Sequence, residues 1–298
     1  MAPNVKSVST QINQWWDTNC LAERRPDGTL RPRLTFSNLS TLHLMFQSGN
    51  DLASRHPAAA INSFLTATPN LVSLELEGFN TLRGELILPS RLSSLVLNMT
   101  LVRGIGLQAA DHPASEPKKI VVDTSSQRYS HMDRDRLTPE FLKILSQSSI
   151  CDTLVALDLS IATIRNVSVA AMGHFPALKL LGIHRKSFGS LWSYSNFLTD
   201  LVGNCRSLRG LMITGANGIP RECLMKFAQA ASELRFPDFR MVVLVTWSYG
   251  GWDRLRSVAR EPVPEMLGTG NVKLVLREGS HTTTAAQFER MEKDVRSL

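Results

Sequence analysis

The sequence predicts an α/β solenoid: strand–turn–helix units stacked in a row, with a parallel sheet on the concave side and helices on the convex side. Three observations predict it. The phrase Leu-x-x-Leu-x-Leu, with Ile accepted last, recurs at Leu39-Leu42-Leu44, Leu71-Leu74-Leu76, Leu92-Leu95-Leu97, Leu154-Leu157-Leu159, Leu178-Leu181-Ile183 and Leu208-Leu211-Ile213. Apolar stretches of helical period fall between the phrases. Weaker strand phrases, Ile120-Val121-Val122, Val242-Val243-Leu244 and Leu274-Val275-Leu276, fill the remaining intervals. From phrase to phrase the unit averages about 29 residues, which leaves room for one strand and one helix.

The elements follow in order. Residues 1–35 precede the first phrase and read as an N-terminal cap or tail, with Trp15-Trp16 covering the open first strand as a terminal unit must. Residues 36–298 read as a single repeat domain of about nine irregular units. Within a phrase the last two leucines point to one side of an extended strand, because side chains alternate. One unit cannot bury that side alone; stacked units can.

Helices are expected over Pro57–Thr66, over Phe141–Leu145 and its flanks, over Ser195–Val202, over Ile219–Leu234 and over Thr284–Leu298. Thr138 suits a helix cap, Pro139 the first turn and Glu140 the positive end of the helix dipole. Thr284 with Gln287 fits a capping box. Polar segments near 103–119 and 124–137 read as loop insertions.

Composition bounds the function classes. At 43% hydrophobic and 20% charged residues, the chain has enough apolar mass for a sizeable core. Its 33 Lys+Arg against 26 Asp+Glu give +7. That excess is spread thinly; three groups of arginines, Arg24-Arg25-Arg31-Arg33, Arg128-Arg134-Arg136 and Arg254-Arg256-Arg260, are interleaved with acids or prolines. A nucleic-acid surface needs such charges on one face, so the expected reading is a solvated basic surface, with nucleic acid the disfavoured partner.

Cys20, Cys151, Cys205 and Cys223 form no Cys-x-x-Cys pair and no zinc spacing. Residues 1–10 lack the pattern of a signal peptide, and Met241–Val245, the longest strongly apolar stretch, is too short for a bilayer. The expected location is cytoplasmic or nuclear, with no membrane. There is no Gly-x-Ser-x-Gly, no Gly-rich phosphate loop and no His-Glu-x-x-His. The chain is expected not to be an enzyme and to use no catalytic residue, cofactor, metal or small-molecule substrate. Cys223 beside Arg221 reads as an inert helix cysteine rather than a thiol with lowered pKa.

Outward strand positions carry the functional expectation, because core packing does not explain them. The candidates for partner binding are His43, Met45, Glu75, Glu77, Asn98, Asp123, Asp158, His184, Met212, Thr214, Lys273 and Arg277. The row also brings apolar Met212, Val243 and Val245 to a sheet face, where bare apolar side chains are unusual. Two readings stand side by side: a protein-binding groove, or a face covered by Ser187–Tyr194 or Trp247–Trp252.

Two units carry a further signature. Cys151-x-x-Leu154-x-x-Leu157-x-Leu159 and Cys205-x-x-Leu208-x-x-Leu211-x-Ile213 place a Cys three residues before the phrase; Phe36, Thr68, Pro89, Phe175 and Phe236 take that place elsewhere. This resembles the cysteine-containing subtype of leucine-rich repeats, common behind F-box motifs. Phe36-Ser37-Asn38-Leu39-Ser40-Thr41-Leu42-His43-Leu44 looks like the irregular repeats of fungal F-box-type proteins. The resemblance covers about residues 36–298. It implies a right-handed leucine-rich-repeat horseshoe with the Cys packed inside at the helix-to-strand turn.

The function it implies is non-catalytic protein–protein recognition through the concave face. The alternative is substrate recognition for a cullin-type ubiquitin ligase, with the ligase adaptor as partner. The chain departs from the family at its start: residues 1–35 are too short for an F-box and carry Trp15-Trp16, Arg24-Arg25-Pro26 and Asp27-Gly28 in place of its Leu-Pro opening. Adaptor binding therefore carries over to no residue here. A second alternative, a basic nucleic-acid-associated structural protein, rests on net charge alone.

Overall fold

A computed structural model describes residues 4–12, 21–46, 58–77, 81–98, 101–107, 119–123, 137–160, 169–185, 196–216, 219–233, 235–247, 272–279 and 284–298. The architecture is α/β, with ten parallel strands and accompanying helices. The chain divides into two compact units, Met1–Asp123 with Glu140–Leu154, and Thr124–Pro139 with Val155–Leu298.

The first unit contains β1 (Ser7–Ile12), β2 (Ala22–Arg24), β3 (Leu30–Pro32), β4 (Thr41–Phe46), α1 (Ala58–Thr66), β5 (Ser73–Glu77), β6 (Thr81–Leu88), β7 (Ser94–Asn98), β8 (Leu101–Leu107) and β9 (Lys119–Asp123). It also takes most of α2 (Leu137–Ser146) and a 3-10 turn, Ser149–Asp152. Strands β1, β4, β5, β7 and β9 pair in that order, all parallel. β2 and β3 form an antiparallel hairpin. Gly28 at its turn has φ +82°, which glycine adopts without a Cβ penalty. β6 and β8 form a separate parallel pair.

The second unit contains β10 (Ala156–Leu159), α3 (Val169–Met172), β11 (Leu180–His184), α4 (Phe197–Asn204), β12 (Gly210–Thr214), α5 (Arg221–Ser232), β13 (Met241–Trp247), β14 (Lys273–Gly279) and α6 (Thr284–Ser297). Its five strands pair in sequence order, all parallel. No helix among the described residues is long and apolar enough to cross a membrane.

The leucine phrases make the core. Every signature Leu or Ile of the six phrases is exposed by 1% or less. Register explains this: Leu42 and Leu44 stand beside Leu74 and Leu76, then Leu95 and Leu97. In the second unit Leu157 and Leu159 stand beside Leu181 and Ile183, then Leu211 and Ile213, then Val242 and Leu244. The backbone repeats with the side chains. The Val72 N–H donates to Ser40 O at 2.8 Å and Ser93 N–H to Val72 O at 2.8 Å. In the second unit Lys179 donates to Val155 O, Arg209 to Lys179 O and Arg240 to Arg209 O, each at 2.8 Å.

Helices close the units. α1 buries Ile61, Phe64 and Leu65, α4 buries Phe197, Leu198 and Leu201, and α5 buries Leu224, Phe227 and Ala228. The residue three before each phrase sits at the turn: Leu71 N–H donates to Thr68 O at 3.1 Å, Leu178 to Phe175 O at 3.2 Å and Leu208 to Cys205 O at 2.9 Å.

Several expectations are revised. Residues 1–35, read as an N-terminal cap or tail, contribute a strand that was not expected: Val8, Thr10 and Ile12 stand in register with Leu42, Leu44 and Phe46. Leu101–Leu107 is strand, where a loop insertion was expected from 103. α2 begins at Leu137, so Thr138 lies inside its first turn rather than at the cap. Trp15-Trp16, Cys20, the insertion near 124–136, Ser187–Tyr194 and 248–252 lie outside the described residues.

A ladder packed this closely penalises lost volume. Leu211→Ala should destabilise by about 2–5 kcal/mol, whereas Val72→Ala, at a position 43% exposed, should stay within about 0.5 kcal/mol. Urea denaturation followed by circular dichroism measures both.

Candidate functional site

Because side chains alternate, the residues between the leucines form rows on the opposite sheet face. In the first unit one row runs Ser9, His43, Glu75, Val96, Val121 and the next Gln11, Met45, Glu77, Asn98, Asp123. Ser9 and Gln11 are exposed, and His43, Met45, Glu75, Glu77, Val96 and Val121 are half-buried. Asn98 and Asp123 occupy their register positions; their side chains lie outside the described set.

Register brings His43 directly beside Glu75, with Glu77 two residues along the same face. His43 Nε2 lies 3.1 Å from Glu77 Oε2 and 3.9 Å from Glu75 Oε1. Ser9 Oγ is 3.2 Å from His43 Nδ1. A carboxylate only accepts, so Nε2 carries the proton and donates to Glu77. Nδ1 then accepts from the Ser9 hydroxyl in the neutral ring, or donates to it in the imidazolium.

His43, Glu75 and Glu77 are also a set of groups that could ligate a divalent cation: their ligand atoms lie within 4.8 Å of one another, the one such group among the described residues. A cation there would have to replace the Nε2 proton. Ser9, His43 and Glu77 stand in the order hydroxyl–imidazole–carboxylate, but on a solvated strand face, where the water-excluded electrostatics of a catalytic centre are missing.

The second unit uses the same face differently. Its rows read Ala156, Leu180, Gly210, Met241, Lys273; then Asp158, Gly182, Met212, Val243, Val275; then, past β10, His184, Thr214, Val245, Arg277. Of the residues expected to meet a partner, Asp158, His184, Met212, Thr214 and Arg277 are buried, and Lys273 is exposed. Of the two readings, an open groove does not hold at these buried positions. α6 covers Met212 and its apolar neighbours; the loops at 187–194 and 248–252 lie outside the described residues. Phe288, Met291 and Val295 form one cluster with Ala156, Leu180, Met212, Met241, Val243 and Val245, with Val275 packed against it.

Two strand glycines shape the seat. A Cβ on Gly182 would lie 2.9 Å from Phe288 Cδ2, and a Cβ on Gly210 would lie 2.9 Å from Val295 Cγ2 and 3.4 Å from Met291 Sδ. The missing side chains are what let the helix come this close. Arg277 fixes one side: Nη2 donates to Asp294 Oδ2 at 2.7 Å and Nη1 donates to Gln287 O at 3.0 Å and Oε1 at 3.3 Å. Burial, helped by the nearby charge of Arg290, holds the guanidinium below its ordinary pKa, and Asp294 opposes that shift. Gln287, expected in a capping box, thus spends its side chain on β14, also donating to Glu278 O at 3.3 Å.

The buried polar residues of this face are used structurally. Asp158 Oδ1 accepts from the Ser160 N–H at 2.9 Å and from its hydroxyl. Thr214 Oγ1 donates to Ser160 O at 2.5 Å.

The two signature cysteines differ. Cys205 is buried, with Sγ 3.6 Å from Met172 O, while Cys151 is half-buried in the 3-10 turn. Burial raises the pKa of both, that of Cys205 to about 12. Cys223 is buried in α5 and its pKa is likewise raised by burial; Arg221 does not lower it.

The chain matches no protein-family model and no curated protein sequence.

Cys205 makes stability pH-dependent with a definite sign. Its folded pKa, about 12, exceeds the ordinary 9.0, so the unfolded chain releases the thiol proton first. Its contribution is complete below pH 9 and is lost as pH rises towards 12. The denaturation midpoint should fall over that window, and Cys205→Ala should flatten the fall. Urea titrations at pH 8, 9.5 and 11 measure it.

Proposed function

We propose that this chain is a non-catalytic protein-recognition module built on a leucine-rich-repeat solenoid, and that the polar sheet face of its first unit receives the partner. The observation that carries the reading is the contrast across one sheet. Leu42, Leu44, Leu74 and Leu76 are fully buried behind it, while His43, Met45, Glu75 and Glu77 between them remain half-exposed. Core packing accounts for the first set and leaves the second available.

The exposed chemistry names the partner's. Glu75 and Glu77 place two carboxylates beside a single imidazole, a site that favours Lys or Arg side chains of another protein. Paired rim charges on a free surface contribute little to stability, so this cluster is more useful in recognition, where complementary charge sets orientation and on-rate.

Glu75→Lys combined with Glu77→Lys should cut capture of a partner from cell extract by at least about tenfold, with unchanged circular dichroism. Lys273→Glu, in the other unit, should leave capture intact. Quantitative mass spectrometry of the captured proteins reads both. Capture that survives the double reversal, with the same proteins recovered, sinks the proposal.

A further inference from the structure

The covered face of the second unit carries an inference that stands without the charged patch of the first. α6 sits on a trough lined by Leu180, Met212, Met241, Val243 and Val245, floored where Gly182 and Gly210 remove side chains. Among the helix's described side chains, only Phe288, Met291 and Val295 are buried; Glu289, Arg290, Lys293 and Arg296 are exposed. Those three apolar residues stand at i, i+3 and i+7, one stripe of a helix.

The leucine ladder lies on the other face. Lifting α6 therefore uncovers none of Leu157, Leu181, Leu211 or Leu244 and breaks no strand pairing. What it uncovers is a contiguous apolar surface with helical dimensions, and beside it Arg277, which has Asp294 as its carboxylate. A guanidinium with this little exposure (8%) needs an acid from whatever covers it.

We propose that this trough is a receptor for an amphipathic helix of a second protein, and that α6 is its resident occupant, displaced by a helix with apolar residues at i, i+3 and i+7 and a carboxylate at i+6. The glycine floor selects a large side chain at i, over Gly182. Arg277 rejects a helix without the acid, because the charge would be left buried and unpaired. The resident helix sets the affinity: if it is seated about 99% of the time, an incoming helix binds about 100-fold more weakly than to the bare trough.

The test uses the full chain and, as probe, a fluorescent peptide of residues 284–298. A receptor carrying Phe288→Asp and Met291→Asp has its own helix dislodged. It should bind the peptide saturably and at least about tenfold more tightly than the unchanged chain. A peptide with Asp294→Arg should lose at least about tenfold, and adding Arg277→Glu to the receptor should restore it. Equal binding by both receptors, or no effect of the charge swap, overturns the proposal.

Loss of the folded circular dichroism signal in the double variant also overturns it, because α6 would then be part of the core. Hydrogen exchange on the unchanged chain decides independently. Amides of α6 exchanging at least about tenfold faster than those of β11–β13 indicate an occupant that opens alone; exchange at one common rate indicates an inseparable part of the unit, and the proposal fails.

Discussion

Row-by-row stacking of leucines is the constraint on which the rest of this protein depends. A single strand–helix unit has too little apolar surface to stay folded; each buried leucine adds about 1.5–3 kcal/mol only because a neighbouring unit closes over it. Stacking also fixes register. A slip of one residue would turn Leu74 and Leu76 outward and Ser73, Glu75 and Glu77 inward. The penalty for burying two carboxylates excludes that alternative. The ladder thus decides, residue by residue, which side chains are left for the opposite face.

The two units use that freedom differently. In the first, the opposite face carries Ser9, Gln11, His43, Glu75 and Glu77, which water can satisfy, beside half-buried Met45, Val96 and Val121. In the second, it carries the buried cluster of Leu180, Met212, Met241, Val243 and Val245, which requires a cover. The same backbone therefore leaves a half-exposed charged face in one place and an apolar helix seat in the other. Asp158, His184 and Thr214 belong to the covered set, so their outward parity does not make them accessible.

Much of this was legible in the sequence. The leucine phrases placed the strands, and helical period placed α1, α4, α5 and α6 to within two residues. β1 was missed because Val8, Thr10 and Ile12 alternate without a leucine, and six alternating residues alone do not separate a strand from a tail. The stripe Phe288, Met291, Val295 was readable as amphipathic, but nothing in a helix's own sequence says which sheet face it meets. A signal for that choice was present in the strands: Gly182 and Gly210 stand inside phrases that otherwise favour bulky residues, and a strand glycine marks close approach. The two signature cysteines show the opposite limit. Cys151 and Cys205 stand at the same spacing before their phrases, yet one lies in a 3-10 turn and the other follows the helix α4, and only the second is fully enclosed.

Arg277 is the residue that apolar packing cannot explain. At its place a valine, like Val245 beside it, would fill the trough without desolvating a charge, and exchanges of that kind are often neutral or stabilising. The guanidinium is therefore a poor device for holding the unit together. What it supplies is direction. Its two nitrogens reach Gln287 and Asp294, residues seven apart on one helix, so a helix laid in the trough backwards, or turned by one residue, would leave the charge unmatched. Three apolar contacts alone would accept several such placements, because hydrophobic burial has no direction. The glycines set how near a helix can come, and the arginine sets which way it must lie.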